Sequence, residues 1–552
     1  MIQYDSIDGL LLRDMVLAGT ALLEKNREAV DALNVFPVPD GDTGTNMTLT
    51  MQSACREVSS KEFLRADEAA AALAKGALRG ARGNSGVITS QLFRGFSKAV
   101  AGMERITPEQ FAAALKKGAE LAYKAVMKPK EGTILTVARV IAEDAIKQAA
   151  AAPTDYDGLM NVMLKSGEAI LKKTPDMLPA LKAANVVDSG GRGLLWIYTG
   201  YAAVIRGEDI NALLLSAGDE AGEEAEDPDD LDKINFDYCV RFSIQNFGED
   251  ITESDRDSFR RRLKRIGDSV QVTGDLECTK VHVHTDNPGD ALQFAIDLGE
   301  VVDITIENLG AKKRALAAAA EAEKKAAEEA EKPRKPYGMV AVSLGQGFSD
   351  IFRELTVDSI VEGGQTMNPS TDDILSAIEG VNADCVFVFP NNGNVVLAAE
   401  QAAKMATRKV YVIPTKNVAM GIAAAVSFQP DAAPEENVAL MSEASEHVKT
   451  ATLTYAVRDS EYDGVQIKQG DIIGLHNGKI EFSGQDVEQV AMNVMDAIVD
   501  EEAELITVYY GADVTKEDAE ALTATVSERY PDCDVECHMG GMPLYYYLIS
   551  VE

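Results

Sequence analysis

The chain has 552 residues, of which 46% are hydrophobic, and carries 53 lysines and arginines against 89 aspartates and glutamates. Its formal net charge of −36 excludes a broad nucleic-acid-binding surface and docking on anionic lipid by bulk charge, because both require clustered basic residues. The hydrophobic content excludes global disorder, and the length predicts about three to four domains.

The compartment can be predicted from three features of the sequence. No uncharged apolar run is long enough for a transmembrane helix, and Leu194–Ile205 comes nearest to that length. The first residues lack the basic stretch and long apolar core of a signal peptide. The six cysteines are scattered along the chain, as in proteins of a reducing compartment. We therefore expect a cytoplasmic protein without an integral membrane segment.

The first block, residues 1–215, is predicted to be all α-helical. Apolar residues recur at helical spacing from Leu11 to Leu33, and no convincing strand pattern follows. Further segments rich in alanine and leucine lie near 67–79, 108–127, 132–150, 157–172 and 191–206. The expectation is a domain of several antiparallel helices.

The loop Asn34–Met47 follows the first long helix and contains two carboxylates separated by one glycine. Asp40 and Asp42 could turn toward one hard cation, and Asn34 could add a third oxygen, which suits Mg²⁺ when substrate phosphates complete its shell. An ordinary Asx turn explains the same residues without a metal. A calcium EF-hand is excluded because Thr45 occupies the position of its required glycine.

Two glycine-rich turns, Gly76–Gly86 and Asp188–Gly193, also come directly before apolar helices. Such turns can cradle a phosphate, although each could also be a plain connection between helices. Together with the Asn34–Met47 loop they predict a nucleotide site assembled from loops at one end of the helical domain. The P-loop and protein-kinase motifs are not found in the sequence, which excludes the familiar ATP-binding folds.

Two segments predict linkers on either side of a middle block at 233–308. Asp219–Asp232 carries nine acidic residues and no basic one, which predicts a solvated connection at 216–232. Ala311–Lys332 is almost entirely alanine, glutamate, lysine and arginine, which predicts an exposed helical spacer within 309–336.

The middle block is predicted to have the order βαββαβ of a ferredoxin-like α+β domain, in which the first and third strands are neighbours. The strands are expected at Phe236–Ser243, Ser269–Thr273, Thr279–Thr285 and Val301–Glu307, and the helices at Glu253–Arg265 and Pro288–Leu298. The third block, 337–552, is predicted to be an α/β domain with four short apolar strands and capped helices.

The strongest chemical pattern lies on two strands of the middle block. His282 and His284 alternate with valines, so both point to one face of their strand. Cys239 and Arg241 lie on the polar face of the neighbouring first strand. Cysteine and two histidines are the ligand types of a zinc site with an open fourth position. The alternative is two exposed histidines and an incidental cysteine.

The motifs of the first block resemble the nucleotide-binding (L) domain of dihydroxyacetone kinases. The resemblance covers about residues 8–206 and rests on Asn34–Met47, Gly80–Gly86, Glu131–Thr133 and Asp188–Gly193. It implies an eight-helix barrel that binds ATP through Mg²⁺ held by carboxylates. At the spacing of the family's third metal-binding acid this chain has Val35, one residue after Asn34. The nucleotide-binding residues that the resemblance implies are Thr43, Gly44, Asn46, Gly83, Asn84, Ser85, Gly86, Thr133, Asp188 and Gly190.

The three-block arrangement resembles the family of ATP-binding catalytic subunits of bacterial fatty acid kinases, with a DegV-like third block. Asn368–Asp373 and the C-terminal segment Pro543–Glu552 carry the DegV resemblance. The family implies phosphorylation of a fatty acid carboxylate held by a separate DegV-type carrier, which yields an acyl phosphate for phospholipid synthesis. It also implies that the carrier docks on the third block, that the chain dimerises through its middle block, and that His282 and His284 are required.

A fatty acid carboxylate is already ionised at pH 7, with a pKa near that of glutamate at about 4.3, so it needs no general base. Catalysis then depends on positioning and positive charge, with His282, His284 and Arg241 as the predicted catalytic set. The hypothesis includes closure across the acidic linker. Two alternatives stay open: a kinase that phosphorylates a small-molecule hydroxyl, and a nucleotide-binding scaffold or regulator.

Overall fold

The computed structural model describes residues 4–34, 41–208, 236–248, 250–311, 313–314, 333–364, 367–457, 459–462 and 465–552. They belong to two compact units: one combines Met1–Asp219 with Arg334–Glu552, and the other is Glu220–Pro333. The N-terminal and C-terminal blocks therefore pack as one unit although the middle block separates them in the chain. The acidic segment Asp219–Asp232 and nearly all of Ala311–Lys332 lie outside the described residues, so the two linkers and the block boundaries stay predictions.

The N-terminal block is helical, as predicted. Its helices are α1 (Gly9–Lys25), α2 (Arg27–Asp31), α3 (Thr43–Ser59), α4 (Ala66–Arg79), α5 (Gly83–Ala99), α6 (Pro108–Ala125), α7 (Ile134–Ala151), α8 (Tyr156–Leu171), α9 (Thr174–Met177), α10 (Pro179–Ala183) and α11 (Ser189–Ile205). Each long helix packs on the next long helix in the chain, and α11 packs on α1, which closes the cycle. None of the helices that the structure describes is both long and apolar enough to span a membrane.

The middle unit has the predicted order of elements. Its strands are β1 (Tyr238–Gln245), β2 (Gly267–Gly274), β3 (Cys278–Thr285) and β4 (Glu300–Asn308), and its helices are α12 (Glu253–Ile266) and α13 (Pro288–Ile296). The sheet is antiparallel in the order β2-β3-β1-β4, so the first and third strands are neighbours, as predicted. Val281 and Val283 are buried with Phe259 of α12 and Ala291 of α13. The side chains that alternate with these valines, including His282 and His284, therefore lie on the opposite face of the sheet.

The C-terminal block contains a four-stranded parallel sheet (β6-β5-β7-β8), a six-stranded mixed sheet (β13-β12-β9-β16-β14-β15) and the pair β10-β11. The strands are β5 (Lys335–Ser343), β6 (Ser359–Glu362), β7 (Ala383–Phe389), β8 (Lys409–Val412), β9 (Lys449–Tyr455), β10 (Ser460–Tyr462), β11 (Val465–Ile467), β12 (Ile472–His476), β13 (Lys479–Gly484), β14 (Leu505–Tyr510), β15 (Asp534–Met539) and β16 (Tyr545–Val551). The helices are α14 (Gln346–Glu354), α15 (Thr371–Gly380), α16 (Val396–Met405), α17 (Val418–Val426), α18 (Pro434–His447), α19 (Val487–Ile498) and α20 (Lys516–Arg529). Ser370 caps α15 through the backbone N–H of Asp373, which places the segment Asn368–Asp373 at a helix start.

Candidate functional site

A cavity of about 390 Å³ opens in the first unit, where α3, α5, α7 and α11 all begin. Its lining consists of Asn34, Asp42, Thr43, Asn46, Asn84, Ser85, Ile88, Thr133, Ile134, Asp188, Ser189, Gly190 and Asn394. The first N–H groups of a helix have no partner within that helix and carry partial positive charge. Four such helix ends at one cavity favour an anionic ligand such as a polyphosphate.

Most of the residues that the sequence assigns to a nucleotide and its metal line this one cavity: Asn34, Asp42, Thr43, Asn46, Asn84, Ser85, Thr133, Asp188 and Gly190. Gly44, Gly83 and Gly86 do not. A Cβ on Gly44 would lie 2.3 Å from the Arg27 carbonyl oxygen, and one on Gly86 would lie 2.3 Å from Thr50 Oγ1. These glycines permit close backbone packing behind the cavity. Asp40 lies outside the described residues, so its assignment to the metal stays a prediction.

Asp31 has a role in this site that the sequence did not suggest. Its Oδ1 accepts hydrogen bonds from the N–H groups of Gly44, at 2.6 Å, and Thr45, at 3.1 Å, while its Oδ2 accepts from Thr45 Oγ1. Asp31 therefore caps α3 from a distant position in the chain, and no local motif predicts that contact. The side chain of Asp42, which stands directly before α3, makes no capping bond to that helix. Its carboxylate instead lines the cavity.

Asp188 joins the starts of two helices at the cavity. Its Oδ2 accepts a hydrogen bond from the N–H of Gly191 in α11, at 2.7 Å, and its carboxylate also accepts one from the N–H of Ile134 in α7. Burial raises the pKa of Asp188 to about 6, and these backbone donors oppose that effect only in part.

This raised pKa predicts a specific dependence of stability on pH. Between about pH 4 and about pH 6 the unfolded chain releases the Asp188 proton while the folded chain retains it, so this carboxyl lowers the unfolding free energy as pH rises. Asp188→Asn keeps an oxygen for capping but does not titrate. As the pH rises through that range, we expect its free energy of unfolding to increase by about 3 kcal/mol relative to that of wild type. Urea unfolding of both proteins at several pH values measures the difference. A difference that does not change with pH contradicts the prediction.

The cavity is suited to an anion only when a cation accompanies it. Among the lining residues that the structure describes there is no lysine or arginine, whereas Asp42 and Asp188 both contribute carboxylates. A nucleotide triphosphate would meet net negative charge here. Asp42 and Asn34 offer the hard oxygen atoms that Mg²⁺ prefers, so the donor set fits a magnesium–nucleotide complex.

The second unit brings together Cys239, His282 and His284. Cys239 Sγ lies 3.3 Å from His282 Nε2, which lies 3.1 Å from His284 Nε2. Potential ligand atoms of all three residues lie within 4.8 Å of one another. Tetrahedral zinc with Zn–S of about 2.3 Å and Zn–N of about 2.0–2.1 Å places such atoms about 3.4–3.6 Å apart. The Cys239–His282 and His282–His284 distances are therefore close to those between ligands of one zinc ion.

The burial of Cys239 and His284 argues against the alternative of two exposed histidines and an incidental cysteine. Cys239 is 1% exposed and His284 is 3% exposed. His284 Nδ1 lies 3.5 Å from a carboxylate oxygen of Asp268, which stands opposite it on β2. A carboxylate behind a metal-binding histidine is a common arrangement, because it orients the ring. Asp268 is not among the site residues predicted from the sequence, although it directly precedes the strand expected at Ser269–Thr273.

Arg241 occupies the position that the sequence predicts. It pairs with His282 across β1 and β3, and its Nη2 lies 3.9 Å from Glu307 Oε2 on β4. Its side chain is 36% exposed, so a cation that solvent can reach stands beside the Cys239–His282–His284 cluster.

Comparison with known proteins covers nearly the whole chain. Residues 37–203 match the DAK2 domain, 235–316 match the middle domain of FakA-like fatty acid kinase subunits, and 338–552 match their C-terminal domain. Protein YloV of Bacillus subtilis is 43% identical over 99% of both chains, and an uncharacterized protein of Staphylococcus saprophyticus is 40% identical over 99% of both. A DegV family protein from Corynebacterium glutamicum covers 39% of this chain and 98% of its own, with 13% identity and a TM-score of 0.32. The last similarity is too low to transfer a ligand or a partner.

Proposed function

The chain belongs to the FakA-like family of fatty acid kinase subunits, and on this premise we propose that it transfers the γ-phosphoryl group of ATP to a fatty acid carboxylate. The fatty acid is presented by a DegV-type carrier protein, and the acyl phosphate formed serves phospholipid synthesis. The observation that carries the proposal is the succession of three kinase-family domains, DAK2, middle and C-terminal, in one chain. The cavity at four helix starts and the Cys239–His282–His284 cluster support it.

Two finer descriptions of the fold belong to this proposal. The closed cycle of long helices supports an eight-helix barrel of the dihydroxyacetone kinase L type. The strand order β2-β3-β1-β4 with two helices on one face supports a ferredoxin-like middle domain. The third block is proposed to be DegV-like and to dock the carrier, and the middle block to form a homodimer. We expect the protein to act in the cytoplasm.

The N-terminal cavity is proposed to bind ATP with Mg²⁺. The N–H groups at the start of α5 would face the phosphates, whereas N–H groups at the starts of α3, α7 and α11 already bind Asp31 or Asp188. The amide and hydroxyl groups of Asn46, Asn84 and Ser85 would orient the phosphates. Asp42, with Asn34 and the predicted contribution of Asp40, would hold the metal. Magnesium neutralises charge on the phosphates when it is bound. The chain itself supplies position and a preformed set of dipoles.

The Cys239–His282–His284 cluster is proposed to act on the acceptor side of the reaction. The fatty acid carboxylate is the nucleophile and is ionised at neutral pH, so no proton has to be removed. What opposes the reaction is the approach of an anion to a polyanion. His282, His284 and Arg241 would place positive charge, or a bound cation, where the carboxylate and the transferring phosphoryl group meet.

Trapping of acyl phosphate with hydroxylamine tests the function directly. Purified protein, ATP, Mg²⁺, a fatty acid and a DegV-type carrier should yield acyl hydroxamate, and omission of the carrier should remove most of the signal. Phosphorylation of dihydroxyacetone in place of the fatty acid would support the small-molecule kinase alternative. Nucleotide binding without transfer to either acceptor would support the scaffold alternative.

We further propose that Cys239, His282 and His284 hold one zinc ion. Wild-type protein purified without chelators is expected to contain about one zinc per chain by elemental analysis, and Cys239→Ala is expected to bind it at least about 100-fold more weakly because one of three ligands is lost. Asp268→Asn should weaken binding about 10- to 100-fold, because it removes the carboxylate behind His284. Cys278→Ala, on the same strand as the histidines, is the matched control. Wild-type protein free of metal, or equal zinc in Cys239→Ala, contradicts the proposal.

A further inference from the structure

The C-terminal block packs directly on residues 80–82, the connection between α4 and α5 at the edge of the cavity. The N–H of Thr371 donates a hydrogen bond to the Ala81 carbonyl at 3.0 Å, and Arg82 and Ser370 form a short antiparallel bridge. Ala81 and Val87 are buried in the same apolar cluster as residues of the parallel sheet and α15, such as Ile374. Apolar burial of this kind fixes the two blocks against each other.

Arg82 binds the segment Asn368–Asp373, whose role the sequence left open. Its Nη1 donates to the Asn368 carbonyl oxygen at 2.8 Å, and its Nη2 lies 3.3 Å from Asp373 Oδ2. One turn earlier in the helical domain, Arg79 lies 3.5 Å from Asp372. These contacts fix the backbone of Asn368 close to Asp42, which lines the cavity.

Asn368 contacts the carboxylate that is proposed to bind magnesium. Its Nδ2 donates a hydrogen bond to Asp42 Oδ2 at 2.5 Å, and the residue is 1% exposed. The other amide atom, Oδ1, is buried without a hydrogen-bond partner in the part of the chain that the structure describes. A buried acceptor without a partner is costly, and beside a metal carboxylate it suits a donor brought by the ligand, such as a water bound to the metal.

The C-terminal block also contributes Asn394 to the cavity wall. Its Oδ1 accepts a hydrogen bond from Asn84 Nδ2 at 2.9 Å. The N–H of Asn394 donates in turn to Asn392 Oδ1, which fixes the loop before α16. Residues of the N-terminal block and of the C-terminal block thus both line the cavity.

We propose that the C-terminal block completes the nucleotide site of the helical domain. Asn368 positions the Asp42 carboxylate for the metal, and Asn394 closes the wall beside Asn84. This inference rests on the proposed binding of Mg²⁺ and ATP in the cavity, and it adds that residues of the C-terminal block set the affinity. Its test therefore measures binding rather than turnover.

Asn368→Ala and Asn394→Ala in the full-length chain provide the test, with a fluorescent ATP analogue as the probe. Asn368→Ala should raise the Kd about ten-fold at limiting Mg²⁺ and by much less at saturating Mg²⁺, because excess metal compensates for a poorly held carboxylate. Asn394→Ala should raise the Kd by a smaller factor at both metal concentrations. The matched control is Asn382→Ala in the same domain, outside the cavity lining, which should bind as wild type does.

Hydrogen exchange on the wild-type protein gives a measurement that does not depend on the stability of a variant. Addition of the nucleotide analogue with Mg²⁺ should slow amide exchange in peptides that cover 368–373 and 391–395. Unchanged exchange there, or Kd values for Asn368→Ala equal to wild type at every Mg²⁺ concentration, would overturn the inference. If wild type does not bind the analogue at all, the proposed nucleotide site itself is wrong.

Discussion

Alanine at His282 is expected to lower acyl phosphate formation by about 10³-fold while nucleotide affinity stays within about two-fold of wild type. His282 Nε2 stands between Cys239 Sγ and His284 Nε2, so its loss removes the central group of the cluster. The residue is only half-buried, and its strand is held by pairing with β1 and β2, so the fold should survive the substitution. Hydroxylamine trapping and a nucleotide titration measure the two quantities.

His538→Ala is the matched control for this variant, because His538 is an exposed histidine on a strand of the C-terminal block that contacts Glu536. It should retain the activity of wild type. A His282→Ala protein that loses nucleotide binding together with activity would show that the residue acts through the nucleotide site or the fold. A variant with unchanged acyl phosphate formation would remove the cluster from the mechanism.

Asp42→Asn is expected to weaken Mg²⁺-dependent nucleotide binding at least about 100-fold, which corresponds to about 2.7 kcal/mol. The amide has the size of the carboxylate and can still contact Asn368, so the substitution removes charge with little change of shape. Because Asp31 caps α3, the start of that helix should stay in place. The expected loss therefore reports on the carboxylate as a ligand of a hard cation.

A titration with the ATP analogue at several Mg²⁺ concentrations separates this effect from general damage. Wild type should bind more tightly as Mg²⁺ rises, and Asp42→Asn should show little of that gain. Asp14→Asn, a partly exposed carboxylate of α1 paired with Arg13, is the control and should respond to Mg²⁺ as wild type does. An unchanged response in Asp42→Asn would assign the metal to other groups.

The predictions that succeeded concern patterns that are local in the chain. The alternation of Lys280–Thr285 placed His282 and His284 on one face of a strand, because successive side chains of a strand point to opposite sides. The βαββαβ order then made the first strand a neighbour of the third, which brought Cys239 to the histidines. The capped helices expected in the third block include those that begin after Ser370 and Thr515, each of which stands three positions before an aspartate.

The contacts that the sequence did not reveal join residues far apart in the chain. Asp31 caps a helix that begins twelve residues later in the chain, Asp268 supports His284 from the adjacent strand, and Asn368 reaches Asp42 from another block. Each is a single polar residue in a segment without a repeating pattern. No periodicity or spacing encodes such a pair, since the partner is chosen by how separate elements pack.

By itself the sequence determined the helical character of the first block, the order of elements in the middle block, and which residue types could hold a metal or a phosphate. Those properties follow from backbone preferences and from short-range periodicity. In the third block it indicated only four of the twelve strands that the structure describes, and Gly44, Gly83 and Gly86, expected in loops, lie in the first turns of α3 and α5. Only the tertiary structure decided that four helix starts meet at one cavity, that Gly44 and Gly86 permit close packing of neighbouring groups, that Asn394 lines the cavity, and that Asn368 binds Asp42 in its lining. The reason is physical: long-range contacts are set by the burial of apolar faces between elements, and polar groups then pair with whatever that burial brings near.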